Sequence, residues 1–293
     1  AMSFFGGRAE QNPLSDFKIT ETMSFAEAFA KLFTGANGPL EIINGKPNIY
    51  CGILVVLLVI FFFVDKRNSI RVKVIRGLPL VFYFVTFYVQ ALSMVLNGLT
   101  KTNWFNFRYS FVFSFLLVLI AYEQFRKITE PAKEDFKRAC IVFCCTVLVV
   151  FSQKFNFVAG GVLVFDLLVL AICVASIWRY WDKQSNSDVK LLIPRIMFLC
   201  ALQCTVNFAT CTKSLMGMSM TRDEYKQETA VGTKFAQIIK QDKNFYRAVA
   251  DPTPERKLLA PRLYGYNGAN YFGSGEQTFV FEGFGKLGMN WWR

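Results

Sequence analysis

Long apolar segments, separated by short polar ones, dominate the chain between residues 49 and 211. Several of them approach the roughly 20 apolar residues that an α-helix needs to cross the hydrocarbon core of a bilayer. We therefore expect about six transmembrane helices, over Ile49–Val64, Leu78–Leu96, Tyr109–Tyr122, Ala139–Phe151, Phe157–Ile177 and Leu191–Cys211. The pattern predicts a polytopic α-helical membrane protein with its transmembrane domain at residues 49–211.

Basic residues alternate between the loops that join these segments. The loops after the first, third and fifth segments hold 13 Lys and Arg, whereas those after the second and fourth hold 3, namely Lys101, Arg108 and Lys154. Because short cytoplasmic loops are enriched in Lys and Arg, we expect the first set to face the cytoplasm and both chain ends to face outside. Much of the formal charge of +12 is then a topology signal and an attraction to membrane lipids, which argues against a nucleic-acid partner.

The polar to mixed segment 1–48 is predicted to be extracytoplasmic and to contain an amphipathic helix. Apolar residues recur at helical spacing from Ser24 to Phe33, and Gly35 follows in the manner of a C-cap. This helix either lies along the membrane interface or packs on an extracytoplasmic domain, and packing is the more common fate. The segment lacks the charged and apolar regions of a signal peptide, so we expect further sequence upstream.

Residues 212–293 are predicted to form a small extracytoplasmic α/β module. A capping box fits Thr221–Glu224, at the start of a helix that reaches about Gln241. Strand-like segments follow at Phe245–Val249 and Gln277–Phe281, and the abrupt end at Arg293 suggests a truncated module. Four aromatic residues of this module either stack on sugar rings or form its core, which we favour: Tyr264, Tyr266, Tyr271 and Phe272.

Residue types that commonly carry catalysis or bind metals are scarce. The chain has no histidine, which removes the commonest general base and the commonest nitrogen ligand of metals. Its eight cysteines lie within or at the edges of apolar segments and form no CxxC pair. We interpret them as apolar filler, and we assign these residues no metal site and no disulfide framework.

Asp166 is the only acidic residue inside a predicted span. A charge in the bilayer is costly unless it is paired, so such residues mark functional sites by default. The alternative, which we favour, is a helix-packing carboxyl hydrogen-bonded to a polar neighbour such as Gln90, Gln203 or Asn207. A proton relay would need a second buried ionisable group, and Arg195 is the only other candidate.

The segment Asn103–Phe111 places aromatic residues and a cation at the boundary between two apolar runs. Trp and Tyr favour the membrane–water interface, which suits Trp104 and Tyr109. Arg108 carries a permanent charge on a planar fork that is suited to phosphate. It is either a snorkelling anchor or a clamp for the phosphate of a lipid-linked substrate.

The same segment, continued through Val112–Leu117, resembles the bacterial YfhO family of large polytopic membrane proteins. Gly38–Leu40, Pro47–Gly52 and Lys240–Arg247 resemble that family too. The resemblance implies a glycosyltransferase of the bacterial plasma membrane that moves sugar from a polyprenyl phosphate to a surface glycopolymer such as lipoteichoic acid. The substrate-binding residues that it implies are Asn103, Trp104, Arg108 and Tyr109.

The resemblance also implies that the catalytic acid lies outside this chain, in an earlier extracytoplasmic loop upstream of Ala1. Such transfer needs a carboxylate to activate the acceptor hydroxyl, and a cation or metal to steady the departing phosphate. Arg108 can serve the second role, and a divalent cation is the alternative. The extracytoplasmic carboxylates Asp16, Glu21 and Glu41 lie in no motif, and we favour a solvated surface role for them.

A non-enzymatic membrane protein is the competing interpretation. It would be a flippase-like transporter or an accessory subunit for lipid-linked saccharides. Composition and topology fit both classes, and only the resemblance favours the enzyme, with the missing N-terminal part of the same protein as an expected partner.

Overall fold

The computed structural model describes residues 23–38, 41, 45–98, 106–153, 155–183, 186–216, 220–242, 244, 263–267 and 286. Every extended regular element in these residues is an α-helix. In chain order the helices are α1 (Phe25–Ala30), α2 (Ile53–Val64), α3 (Ile70–Tyr88), α4 (Gln90–Leu96), α5 (Ser110–Phe125), α6 (Lys133–Phe151), α7 (Gly160–Lys183), α8 (Asn186–Met216) and α9 (Arg222–Ile239). The chain divides into two compact units, residues 13–218 with α1 to α8, and residues 1–12 and 219–293 with α9.

Among the described helices, two are long and apolar enough to cross a membrane, over Gly160–Asp182 in α7 and Leu191–Lys213 in α8. A third span results if α3 and α4 count as one, although the pair is bent by 111° at Val89. By length and composition the described residues therefore hold two or three spans, and the predicted six are not supported. Each predicted segment does coincide with a helix or a bent helix pair.

The shortfall has physical causes that are visible in three helices. α2 has 12 residues and ends at Val64, so it extends about 18 Å against a hydrocarbon core of about 30 Å. α5 has 16 residues and extends about 24 Å. α6 is longer, but it begins with the charged stretch Lys133–Arg138.

α2 forms the centre of the first unit. It is apolar on all sides and packs against α5, α6 and α7, as expected for a helix inside a core. Phe61 of α2 contacts Phe136 of α6 and Trp181 of α7 edge-on, with ring centroids 5.2 Å and 6.4 Å apart. In contrast, α3 exposes apolar side chains along its length, among them Ile70, Leu78 and Val81.

The segment 23–38, here called the inserted segment, packs into the helix bundle. Its helix α1 begins after Ser24, whose Oγ accepts a hydrogen bond from the Glu27 N–H (3.1 Å), and it ends at Ala30, short of the predicted Phe33. The ring of Phe29 lies 6.3 Å from that of Phe143 in α6. Most of the inserted segment is buried, so it belongs to the core of the first unit.

The described part of the second unit is helical. The predicted capping box is confirmed, because Thr221 Oγ1 accepts from the Glu224 N–H (3.3 Å) and Glu224 Oε2 accepts from the Thr221 N–H (2.8 Å). The predicted strands Phe245–Val249 and Gln277–Phe281 lie outside the described residues. Within the described part no strand occurs, so the α/β character of the module is not supported there.

Candidate functional site

Arg108 is exposed at the start of α5. Residues 106–109 form a turn, and Tyr109 is the N-cap of the helix. Within the described part of the chain, the Arg108 guanidinium forms no ion pair. A free guanidinium just before a helix N-terminus adds a full charge to the partial positive charge of the helix end, and both favour an anion.

Tyr109 lies next to Arg108 in sequence, but its side chain is buried. Its hydroxyl donates a hydrogen bond to the Thr86 carbonyl oxygen of α3 (3.1 Å). Its ring stacks on that of Phe87, with centroids 6.0 Å apart, and meets Phe107 edge-on at 6.1 Å. Tyr109 therefore anchors the start of α5 to α3. The other two residues of the predicted substrate site, Asn103 and Trp104, lie outside the described residues.

Hydrogen bonds fix the turn that carries Arg108. Asn97 Nδ2 donates to the Asn106 carbonyl oxygen (2.7 Å), which joins the two ends of the loop after α4. Ser110 Oγ donates to the Asn48 carbonyl oxygen (2.9 Å). Gly45 has a positive φ of 78°, and a Cβ there would lie 2.7 Å from Asn106 Nδ2. Residues 45–48 therefore run beside the turn and hold Arg108 in place.

Asp166 of α7 is fully buried and has three hydrogen-bond donors. Thr34 donates from its backbone N–H (2.8 Å) and from its hydroxyl (2.6 Å), and Gln203 Nε2 donates from α8 (2.5 Å). Gln203 was one of the partners expected from the sequence. Another, Asn207, accepts a hydrogen bond from the Gly35 N–H instead (2.8 Å). These contacts support the helix-packing interpretation of Asp166.

The protein family of this chain follows from its sequence. Residues 2–290 match the family described as bacterial membrane protein YfhO. The chain belongs to the YfhO family. No curated protein and no solved structure matches it. The family and the apolar helices together make it a bacterial membrane protein.

This YfhO-family chain contains a buried lysine that the sequence pattern does not predict. Lys31 follows α1 with its side chain 0% exposed, and its Nζ donates to the Ala36 carbonyl oxygen (2.9 Å) and to Glu41 Oε2 (2.7 Å). The same Nζ lies 4.0 Å from the centre of the Phe157 ring. Burial lowers the pKa of Lys31, and the Glu41 carboxylate opposes that shift. Glu41, expected on a solvated surface, is thus anchored by a buried cation.

A second polar network lies where α2 ends, at the opposite end of that helix from the inserted segment. Asp65 is fully buried and accepts from Arg67 Nη2 (2.6 Å) and from Gln124 Nε2 of α5 (2.6 Å). Burial by itself would raise the pKa of the Asp65 carboxyl, but the hydrogen bonds outweigh it and hold the pKa below its ordinary value. Asn68 extends the network by donating to Gln124 Oε1 (3.0 Å).

The aromatic residues of the second unit behave as core residues where they are described. Tyr266 is 7% exposed, and its ring meets Phe235 of α9 edge-on at 5.7 Å. Tyr264 lies so close to Gly232 that a Cβ there would be 2.3 Å from the tyrosine ring. These contacts are those of a small core, while Tyr271 and Phe272 lie outside the described residues.

The described residues offer no group of three or more His, Cys, Asp or Glu side chains that could hold a metal ion. Arg108 is therefore the cation that the described residues present to an anionic ligand at the start of α5. The exposed guanidinium of Arg108 can bind and orient a phosphate, but it supplies no acid or base.

Proposed function

We propose that this chain is the later part of a membrane glycosyltransferase that uses a polyprenyl-phosphate-linked sugar outside the cell. The acceptor is a surface glycopolymer such as lipoteichoic acid. Membership of the YfhO family supports the membrane setting. The observation that carries the proposal is that Arg108, at the start of α5, is exposed and forms no ion pair with the described residues. Its turn is held by neighbouring residues.

The proposal places the chain in the plasma membrane as a multi-pass protein with both ends extracytoplasmic. The distribution of Lys and Arg supports this orientation, which sets Arg108 at the outer face and the Asp65 network at the cytoplasmic face. Arg76, which pairs with Glu123, also belongs to the cytoplasmic side in this arrangement.

The chemistry assigned to Arg108 is stabilisation of the leaving group. The acceptor hydroxyl attacks the anomeric carbon, the bond between that carbon and the phosphate oxygen breaks, and polyprenyl phosphate departs with the electron pair. The hydroxyl proton passes to a carboxylate base, which we assign to no residue of this chain. Arg108 gains interaction energy as negative charge develops on the phosphate oxygen, and it needs no proton transfer to do so.

Replacing Arg108 by Ala tests this proposal in cells. We expect sugar on the surface polymer to fall roughly 100-fold or more, the usual effect of removing one donor to a developing oxyanion. Arg71→Ala is the matched control, because Arg71 is an exposed arginine at the other end of the α3–α5 pair. Immunoblotting of membranes should show both variants at the wild-type level.

The result separates the enzyme from the alternative. Unchanged glycosylation in the Arg108→Ala strain contradicts the phosphate clamp. Accumulation of the lipid-linked sugar on the inner leaflet of that strain would instead favour a flippase-like transporter. The three hydrogen bonds that Asp166 accepts give this residue a structural role, which argues against a proton relay through it.

A further inference from the structure

A single charged residue lies inside the apolar part of α8. Arg195 is the only charged residue between Leu191 and Thr212. It follows the start of the span Leu191–Lys213 by four residues, which helical rise places about 6 Å inside that span. The proton relay considered for Asp166 would need Arg195 to be buried, but its side chain is exposed. A cation at this depth is costly unless it meets an anion or reaches the membrane surface.

Within the described part of the chain, Arg195 forms no ion pair. α7 packs beside α8, but its two acidic residues, Asp166 and Asp182, bond to other groups. The nearest acidic residue along α8 itself is Asp188, which helical rise places about 10 Å away along the axis. The guanidinium is therefore available to an anion from outside the described residues.

Exposed apolar side chains flank Arg195 along one side of α8. Leu191 lies one turn before it, Phe198 one turn after it and Leu202 two turns after it, so all three share its side of the helix. They are 59%, 67% and 37% exposed, and in a bilayer such a surface faces acyl chains. Because side chains on an α-helix lean toward its N-terminus, the long Arg195 side chain is directed toward the headgroup layer next to Leu191.

We propose that this side of α8 binds a phospholipid of net negative charge, with its phosphate on Arg195 and an acyl chain along Phe198 and Leu202. A guanidinium suits this role because its planar fork donates two parallel hydrogen bonds to a phosphate. The residues one turn away from Arg195 on its side of the helix are apolar, so the ammonium group of a zwitterionic headgroup finds no acidic partner there. Phosphatidylglycerol therefore fits better than phosphatidylethanolamine. In the orientation proposed above, this lipid belongs to the cytoplasmic leaflet.

A second copy of this chain fits the same surface less well than a lipid does. A twofold axis along the membrane normal would bring the Arg195 side chains of the two copies to the same depth. Two like charges would then face each other in a medium of low dielectric constant, with no acidic residue one turn away on α8 to offset their repulsion. The charge of Arg195 therefore favours an anionic lipid over self-association.

Native mass spectrometry of the purified protein, with phosphatidylglycerol or phosphatidylethanolamine added, tests this inference. We expect the wild type to prefer phosphatidylglycerol, and Arg195→Ala to bind it about tenfold more weakly, since the loss of one charge-assisted contact has about that effect. Arg195→Lys keeps the charge without the planar fork and should retain part of the preference. Arg222→Ala, at an exposed arginine outside the spans, is the matched control and should bind both lipids as the wild type does.

The contact with the acyl chain is tested separately. Phe198→Ala should weaken the binding of both lipids and keep the preference, whereas Phe208→Ala, at a 72% exposed phenylalanine elsewhere in α8, should change neither. Wild-type affinity and preference in Arg195→Ala would overturn the inference. A wild-type mass of two copies that falls to one copy in Phe198→Ala would assign the surface to self-association and overturn it too. These results leave the proposed transfer reaction untouched, because the inference does not depend on Arg108.

Discussion

The carboxylate of Asp166 accepts two hydrogen bonds from Thr34, a residue 132 positions earlier in the chain. One comes from the Thr34 backbone N–H and the other from its hydroxyl, and both atoms are buried. This contact ties the inserted segment to α7, while the Gly35–Asn207 contact ties it to α8. The inserted segment is therefore held by the two helices that are long enough to span the membrane.

Replacing Thr34 by Val removes the hydroxyl and keeps the shape of the side chain. We expect the free energy of unfolding to fall by about 1–3 kcal/mol, because a buried carboxylate loses a charge-assisted hydrogen bond. Unfolding by SDS in mixed micelles measures this loss. Thr205→Val is the control, since the Thr205 hydroxyl is exposed and bonds only to the Ala201 carbonyl in its own helix. Equal losses in the two variants would contradict the role given to Asp166.

The inserted segment requires a glycine at Gly35 in order to pack against α8. Its φ is +74°, and a Cβ would lie 2.7 Å from Thr210 Cγ2 of α8. Gly35→Ala should therefore lower the free energy of unfolding by about 2 kcal/mol or more, through backbone strain and the clash together. Adding Thr210→Ser removes the clashing methyl group and should restore part of the loss. A Gly35→Ala variant as stable as the wild type would mean that the turn is built differently.

A substitution of Tyr109 distinguishes a structural role of this residue from a substrate-binding role. Tyr109→Phe removes the hydroxyl and with it the hydrogen bonds to Thr86 and Ser93, so we expect a loss of about 1 kcal/mol in the free energy of unfolding. Surface glycosylation should stay near the wild-type level, because the hydroxyl points into the protein. Tyr122→Phe, at a 58% exposed tyrosine of the same helix, is the control and should change neither quantity. Lost glycosylation at full stability in Tyr109→Phe would return Tyr109 to the substrate site.

The Asp65 network predicts a pH dependence with a defined sign. The pKa of the Asp65 carboxyl is lowered in the folded state. The stabilisation that this carboxylate provides is therefore complete above the unfolded-state pKa of about 3.9, and it is lost as the pH falls through the folded-state pKa. Asp65→Asn should cost about 1–3 kcal/mol at neutral pH, and its deficit relative to the wild type should shrink below about pH 4.

The measurement for Asp65 is the midpoint of unfolding at about pH 7, 5 and 3, taken for both proteins. Asp182→Asn serves as the control, because the Asp182 side chain is 52% exposed in its pair with Lys133 and should contribute little at any pH. A deficit of Asp65→Asn that stays constant down to the lowest pH would contradict the assigned ion pair.

Much of the helical framework could be predicted from the sequence. Each apolar run is long enough to fix a helix, the capping box marks the start of α9, and an acidic residue inside a span needs a polar partner such as Gln203. The number of spans could not be obtained in this way. The bend at Val89 has no proline or glycine to announce it, and α2 begins at Ile53, later than the predicted Ile49, although it ends at Val64 as predicted.

The candidate site was predictable in part, for a related reason. Arg108 and Tyr109 are neighbours in sequence, yet one is exposed and the other buried, since tertiary contacts with Thr86 and Phe87 decide the orientation of the turn. The burial of Lys31 could not be predicted, because a lysine on the polar side of a short helical pattern is typical of a solvated surface. Its burial follows from the insertion of residues 23–38, which local patterns do not encode.

The proposed clamp depends on the side of the membrane that Arg108 faces, and cysteine labelling measures this directly. The eight native cysteines are first replaced by Ser or Ala, and single cysteines are then introduced by Arg108→Cys and Arg71→Cys. A membrane-impermeant maleimide should label Arg108→Cys in intact cells, and should label Arg71→Cys only after the cells are opened. Labelling of Arg71→Cys in intact cells, with Arg108→Cys protected until lysis, would contradict the account.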